Sequence, residues 1–252
     1  MRKGNRLAIR DFIETTYLFT SDELLEACGR SQTNRNLLSR AVAAGRVDHV
    51  AHGLYASRCG RFQGEAPRRF DIAARLFDDC VFGWQSALEL HGCSHNVTPR
   101  LVTCYGLSTK SVEYRGVRLL CKRTDGPVPH VRSGRGYLIT TRERTFVDCV
   151  RDTRRAAGTE NCLRSIPSLD VDARETLDIA REAGPTAFAK VAAVLHLMGL
   201  DGDAGELLTD ARAALRRKHV AVSDPSVPAD DLVAVGESGV YVPSEAEEWI
   251  WA

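Results

Sequence analysis

Apolar residues recur along the first sixty positions with two different periods. Ile9, Phe12, Ile13 and Thr16 fall at the i, i+3, i+4, i+7 spacing of one helix face, and the segment stops at the β-branched, aromatic run Thr15-Thr16-Tyr17-Leu18-Phe19. Thr20-Ser21-Asp22-Glu23 then has the form of a capping box, in which hydroxyl and carboxylate satisfy free amides of the first turn, so a short helix burying Leu24, Leu25 and Cys28 is predicted up to Gly29. After the turn Gly29-Arg30-Ser31 a third helix is predicted from Gln32 to Val42, closed by Gly45. On a wheel set at Leu38, residues Leu37, Ala41, Val42 and Ala44 share one side, and Gln32, Thr33, Arg35, Asn36, Ser39 and Arg40 occupy the opposite arc. From Arg46 to Ala56 the period changes to two: Val47 and Val50 alternate with polar residues, and His52-Gly53 sits where a hairpin would turn. Three short helices followed by a β-ribbon is the order of a winged helix-turn-helix.

Beyond it, Arg61-Phe-Gln-Gly-Glu-Ala-Pro67 reads as a hinge, which divides the chain into a winged helix-turn-helix over 1–62 and a second domain over 63–252. Phe70, Ala73, Ala74 and Phe77, then Trp84, Ala87, Leu88 and His91, predict two helices separated near Cys80-Gly83. Strand-like runs follow at 101–105, 117–121 and 136–140, and Thr141-Arg142-Glu143 is a plausible helix start. Segments 171–183, 185–199 and 203–218 read as helices, the second with Phe188, Val191, Ala192, Leu195 and Met198 on one face, whereas 219–243 reads as irregular or short β. The fold class is therefore α+β: an N-terminal winged helix-turn-helix, then a mixed α/β domain with a helical C-terminal part.

Composition changes this picture in three places. The net charge of +1 over 252 residues points nowhere, but residues 1–61 hold 10 Lys and Arg against 6 Asp and Glu, leaving 24 against 27 for the rest. Positive potential gathers at the front, as DNA binding requires. Arg can donate two bonds to guanine, and Asn or Gln can bond adenine both ways, so Gln32, Thr33, Asn34, Arg35, Asn36, Ser39 and Arg40 are candidates for base contact, with Arg46, His49, His52 and Arg58 for phosphate. The eight cysteines contain no Cys-x-x-Cys pair, and the basic start lacks a signal-peptide apolar core, so reduced thiols, a cytoplasmic location and no membrane partner are expected.

With these segments in hand, the chain resembles the AbiEi family of antitoxins from type IV toxin-antitoxin systems. Three stretches carry the likeness: Phe19-Thr-Ser-Asp-Glu-Leu24 leading through Leu37-Leu-Ser-Arg40 and Gly45-Arg46 to Gly53-Leu-Tyr55; Ser86-Ala-Leu-Glu-Leu-His-Gly92; and Glu143-Arg-Thr-Phe-Val-Asp-Cys149. The family's glycine pair after the third motif is here Ala157-Gly158. The resemblance implies an autorepressor of its own operon, bound to inverted repeats in double-stranded promoter DNA. It also implies an antitoxin that counteracts a nucleotidyltransferase-like toxin without a stable complex.

Other chemistry is thinner. His91, Cys93 and His95 alternate as metal ligands would, but their spacing fits no common pattern and no metal is assigned. Arg144 and Asp148, four apart, are expected to pair as a structural ion pair. No Walker loop or nucleophile elbow is present, and no enzyme activity or cofactor is expected. The alternatives are a winged-helix regulator whose second domain senses a ligand, and a winged-helix-targeted nuclease.

Overall fold

The computed structural model describes residues 2–51, 53–66, 68–124, 126–200, 204–216 and 218–252, with side chains from residue 8 onward except at 204 and 205. It is mixed α and β and divides into two compact units, residues 1–78 with 112–119 and residues 79–111 with 120–252. The boundary expected at residue 62 falls inside the first unit.

The first unit opens with α1 (Arg2–Thr15), β1 (Leu18–Thr20), α2 (Ser21–Cys28), α3 (Gln32–Ala43), β2 (Val47–Ala51), β3 (Leu54–Ser57) and α4 (Arg69–Leu76). The amphipathic spacing of α1 places Ile9 and Ile13 in a core with Phe19, Leu24, Leu25, Leu38, Ala41 and Val47. Phe19 and Leu24 are wholly buried, each worth about 1.5–3 kcal/mol relative to exposure. β1 pairs antiparallel with β3, and β3 with β2, in the order β1-β3-β2. Gly53 turns the hairpin with a φ of 75°. α4 extends the unit past the expected hinge: the Arg68 amide donates to the Tyr17 hydroxyl at 3.0 Å, and Arg75 pairs with Glu23.

The chain continues through β4 (Val81–Phe82), α5 (Trp84–His91), β5 (Leu101–Gly106), β6 (Lys110–Tyr114), β7 (Val117–Arg123), β8 (His130–Arg132), β9 (Leu138–Thr140) and α6 (Arg142–Arg151). These strands form a sheet in the order β6-β7-β5-β4-β9-β8, with β4 antiparallel to β5 and parallel to β9. α7 (Thr159–Ser165), α8 (Ala173–Glu182), α9 (Pro185–Leu197) and α10 (Ala204–Leu215) follow. A small sheet of β10 (Val220–Ala221), β11 (Leu232–Ala234) and β12 (Val240–Pro243), in the order β10-β12-β11, precedes α11 (Ala246–Trp251).

The sequence predicts one apolar stripe on α9, but its Ala187, Phe188, Ala189, Val191, Ala192, Ala193, Val194 and Leu195 are all buried. A helix apolar on nearly every side is an interior helix, and α9 packs against α6, α8 and α10. Asp224 ties the tail to α7: its Oδ2 accepts from the Thr159 amide and hydroxyl, both at 2.6 Å. All eight cysteines are free thiols. No helix among the described residues is long and apolar enough to cross a membrane.

Candidate nucleic-acid interface

The orientation of α3 is set before any of its exposed residues is considered. The expected capping box forms at α2: the Thr20 amide donates to Glu23 Oε2 at 2.7 Å, and the Glu23 amide to Thr20 Oγ1 at 3.2 Å. Ser31 caps α3 by accepting from the Asn34 amide at 3.2 Å. Between the two helices Gly29 takes a φ of 99°, open to glycine at little cost.

Asn34, expected among the base contacts, is instead fully buried. Its Nδ2 donates to the Cys28 carbonyl at 2.8 Å and the Gly29 carbonyl at 2.7 Å, satisfying acceptors that α2 leaves unpaired at its end. The side chain is a clamp between the helices. Asn34→Ala should therefore lower the unfolding free energy by about 1–3 kcal/mol, the penalty for stranding buried acceptors, as read from the midpoint of a urea titration. An unchanged midpoint would deny the clamp.

The other six candidates on α3 are all exposed. Gln32 and Asn36 hold one another, Nε2 to Oδ1, at 3.1 Å, and the Ser39 hydroxyl donates to the Arg35 carbonyl at 3.1 Å. Arg35 and Arg40 have no ion-pair partner among the described residues. The face thus presents two unmatched guanidinium groups beside amide and hydroxyl groups, a set able to bond base edges and phosphates alike.

The hairpin candidates behave differently. His49 is exposed and leans on Tyr55, directly opposite in register, with ring centroids 5.2 Å apart. His52 lies outside the described residues. Arg46 reaches Glu14 Oε1 at 3.4 Å, and Arg58 donates to Asp48 Oδ2 at 3.2 Å. Both guanidinium groups are held by carboxylates of the same unit. Asp48 is a hub that sequence reading missed: its Oδ2 also accepts from the Tyr114 hydroxyl at 2.7 Å and lies 4.0 Å from Arg115 Nε. Burial, then Asp48, pushes the Tyr114 hydroxyl above its ordinary pKa. No local pattern relates residues 48 and 114.

The backbone of this chain has a solved counterpart. The crystal structure of the RV2827C protein from Mycobacterium tuberculosis matches it with a TM-score of 0.67, covering 100% of this chain and 95% of that one. Sequence identity is 12%, so the likeness is one of fold. No protein-family model and no curated protein matches the sequence.

The remaining polar constellations lie in the second unit. His91 Nε2 bonds the Thr140 carbonyl at 2.8 Å, Cys93 Sγ the Ser168 carbonyl at 3.1 Å, and the His95 amide the Ser165 hydroxyl at 2.8 Å. Burial lowers the His91 pKa, which favours the neutral ring. No group of three His, Cys, Asp or Glu among the described residues could hold a metal ion. On α6 the expected pair is formed, Arg144 Nε to Asp148 Oδ2 at 3.0 Å, and the Thr145 hydroxyl donates to the Thr141 carbonyl at 2.7 Å.

Proposed function

We propose that the chain is a DNA-binding autorepressor and antitoxin of the AbiE type. Its first unit acts as a winged helix-turn-helix: α3 enters the major groove and the β2–β3 hairpin lies along the backbone as the wing. The observation that carries this reading is the exposed face of α3, where Arg35 and Arg40 stand unmatched beside Gln32, Thr33, Asn36 and Ser39. Each would reach base edges only if the helix were held at a fixed angle, and the Asn34 clamp supplies that fixity. The antitoxin half rests on the AbiEi resemblance in residues 19–55, 86–92 and 143–149. In this reading the second unit opposes a nucleotidyltransferase-like toxin without stable association, and the protein works in the cytoplasm.

The test is a gel-shift titration on the DNA upstream of the protein's own gene, beside scrambled DNA, at two salt concentrations. Selective retention that weakens with salt is expected, because basic groups binding phosphates release counterions. No preference for the upstream DNA at either salt would remove the autorepressor reading.

A further inference from the structure

The second unit holds a group of cations that the DNA-binding reading leaves unused. Trp84 opens α5, Tyr105 lies on β5, Lys122 on β7, Arg144, Asp148 and Arg151 on α6, and Asp152 and Arg155 follow that helix. Trp84 and Tyr105 are 1% and 3% exposed, with ring centroids 4.3 Å apart. Cations surround the aromatic pair: the Arg155 guanidinium is 5.2 Å and the Lys122 ammonium 5.7 Å from the Trp84 ring, and the Arg144 guanidinium is 5.3 Å from the Tyr105 ring. Trp84 has a φ of 50°, a strained setting for a bulky residue. A Cβ on Gly83 would meet the Tyr105 ring at 3.1 Å, so the corner is tightly fitted.

Charge is not balanced in this cluster. Arg144 is matched: it donates to Asp148 at 3.0 Å and to the Tyr105 hydroxyl at 3.1 Å. Arg151 comes only within 4.0 Å of the second Asp148 oxygen, Oδ1, which is buried and accepts no hydrogen bond. Arg155 Nε donates to Asp152 at 3.2 Å, a carboxylate it shares with Arg154, and Arg155 Nη1 is buried without an acceptor among the described residues. Lys122 and Lys190 have no ion-pair partner among the described residues. Burial, then the neighbouring Arg151, lowers the Lys122 pKa; burial also lowers that of Lys190, against the pull of Asp152. Lys122 and Arg155 share the Trp84 ring, Arg151 stands beside Asp148, and the nearby Asp152 carboxylate is divided between Arg154 and Arg155.

Packing explains Arg144, whose charge is met. It does not explain a buried guanidinium nitrogen without an acceptor at the same ring as the unpaired Lys122, an arrangement that an incoming anion would relieve. Lys122, Arg144, Arg151, Arg154 and Arg155 against Asp148 and Asp152 leave an excess of three positive charges, which calls for a ligand with several charged oxygens, and the guanidinium fork suits tetrahedral oxyanions. Arg155 is only 25% exposed, which favours the compact end of a small molecule over a polymer lying on the surface. We propose that this cluster binds the phosphate chain of a small ligand, inorganic pyrophosphate or a nucleoside triphosphate, with Arg155, Arg151 and Lys122 donating to its oxygens. Asp148 is a positioning residue that holds Arg144 and faces Arg151. The site lies wholly in the second unit and does not depend on the DNA-binding reading.

Calorimetric titration of the full chain with pyrophosphate, and separately with ATP, tests this. Saturable binding is expected, weakened roughly tenfold or more in Arg155→Gln and in Lys122→Gln, since each removes a charged hydrogen bond. It should be unchanged in the Arg35→Ala, Arg40→Ala double variant. Binding of pyrophosphate marks the phosphate chain as sufficient; binding of ATP alone marks a nucleotide as the ligand. Absence of binding by either at millimolar concentration overturns the proposal, as does affinity lost only in the Arg35, Arg40 variant. A measurement on the unaltered protein guards against misfolded variants: lysine acylation read by mass spectrometry should show Lys122 protected by the bound phosphate ligand and the exposed Lys218 unprotected. Equal labelling of Lys122 with and without that ligand would also overturn it.

Discussion

Arg35→Ala combined with Arg40→Ala should abolish selective retention of the upstream DNA while leaving the protein folded and the proposed antitoxin activity intact. Each arginine in bidentate contact with a base contributes about 1–3 kcal/mol of discrimination, so losing both weakens specific binding by roughly 30-fold to 20,000-fold. Both side chains are exposed, and neither has an ion-pair partner among the described residues. Surface changes of this kind usually move stability by no more than about 0.5 kcal/mol. A gel shift and a growth assay with the co-expressed downstream gene read the two activities separately. Equal loss of both in a folded double variant would defeat the division of labour between the units, and undiminished retention would move the DNA contact off α3.

The largest stability effect is expected at Arg144→Ala. Asp148 is 1% exposed and wholly inside α6, so without Arg144 its carboxylate loses a partner at 3.0 Å and keeps Arg151 at 4.0 Å, and the Tyr105 hydroxyl loses a donor. Removing one partner of a buried ion pair costs about 3–5 kcal/mol, a large part of the roughly 5–15 kcal/mol that holds a domain together. Burial already pushes the Asp148 carboxyl above its ordinary pKa, against the opposing pull of Arg144, and the truncation removes that opposition. Arg144→Lys should fall between, because an ammonium cannot bond Asp148 and Tyr105 along two directions of one plane. Urea unfolding checks the order; a loss below about 1 kcal/mol in the alanine variant would mean that Asp148 does not depend on this pair.

Sequence reading found what is encoded within a few residues. The Thr20–Glu23 box, the Ser31 start of α3, the alternation through the β2–β3 hairpin and the Arg144–Asp148 pair all rest on separations of four or less, and all are formed. Asn34 was misassigned by residue type, although a signal was present: four residues before Leu38, it shares the buried side of the wheel. β4 was missed because two residues carry no period, though β5 and β9 flank it in the sheet. The Asp48 hub and the cations around Trp84 join residues 38 to 71 positions apart, which only the folded chain brings together. So the exposed polar face of α3 was legible, and the restraint on Arg58 and the cation cluster of the second unit were not.

The first unit borrows residues 112–119 from beyond the start of the second. During translation, the Asp48 carboxylate leaves the ribosome long before Tyr114 and Arg115, its later partners. At about 5–20 residues per second the wait is on the order of several seconds. The first unit thus has all its residues only after β5 has been synthesised, and no single cut in the chain releases it alone.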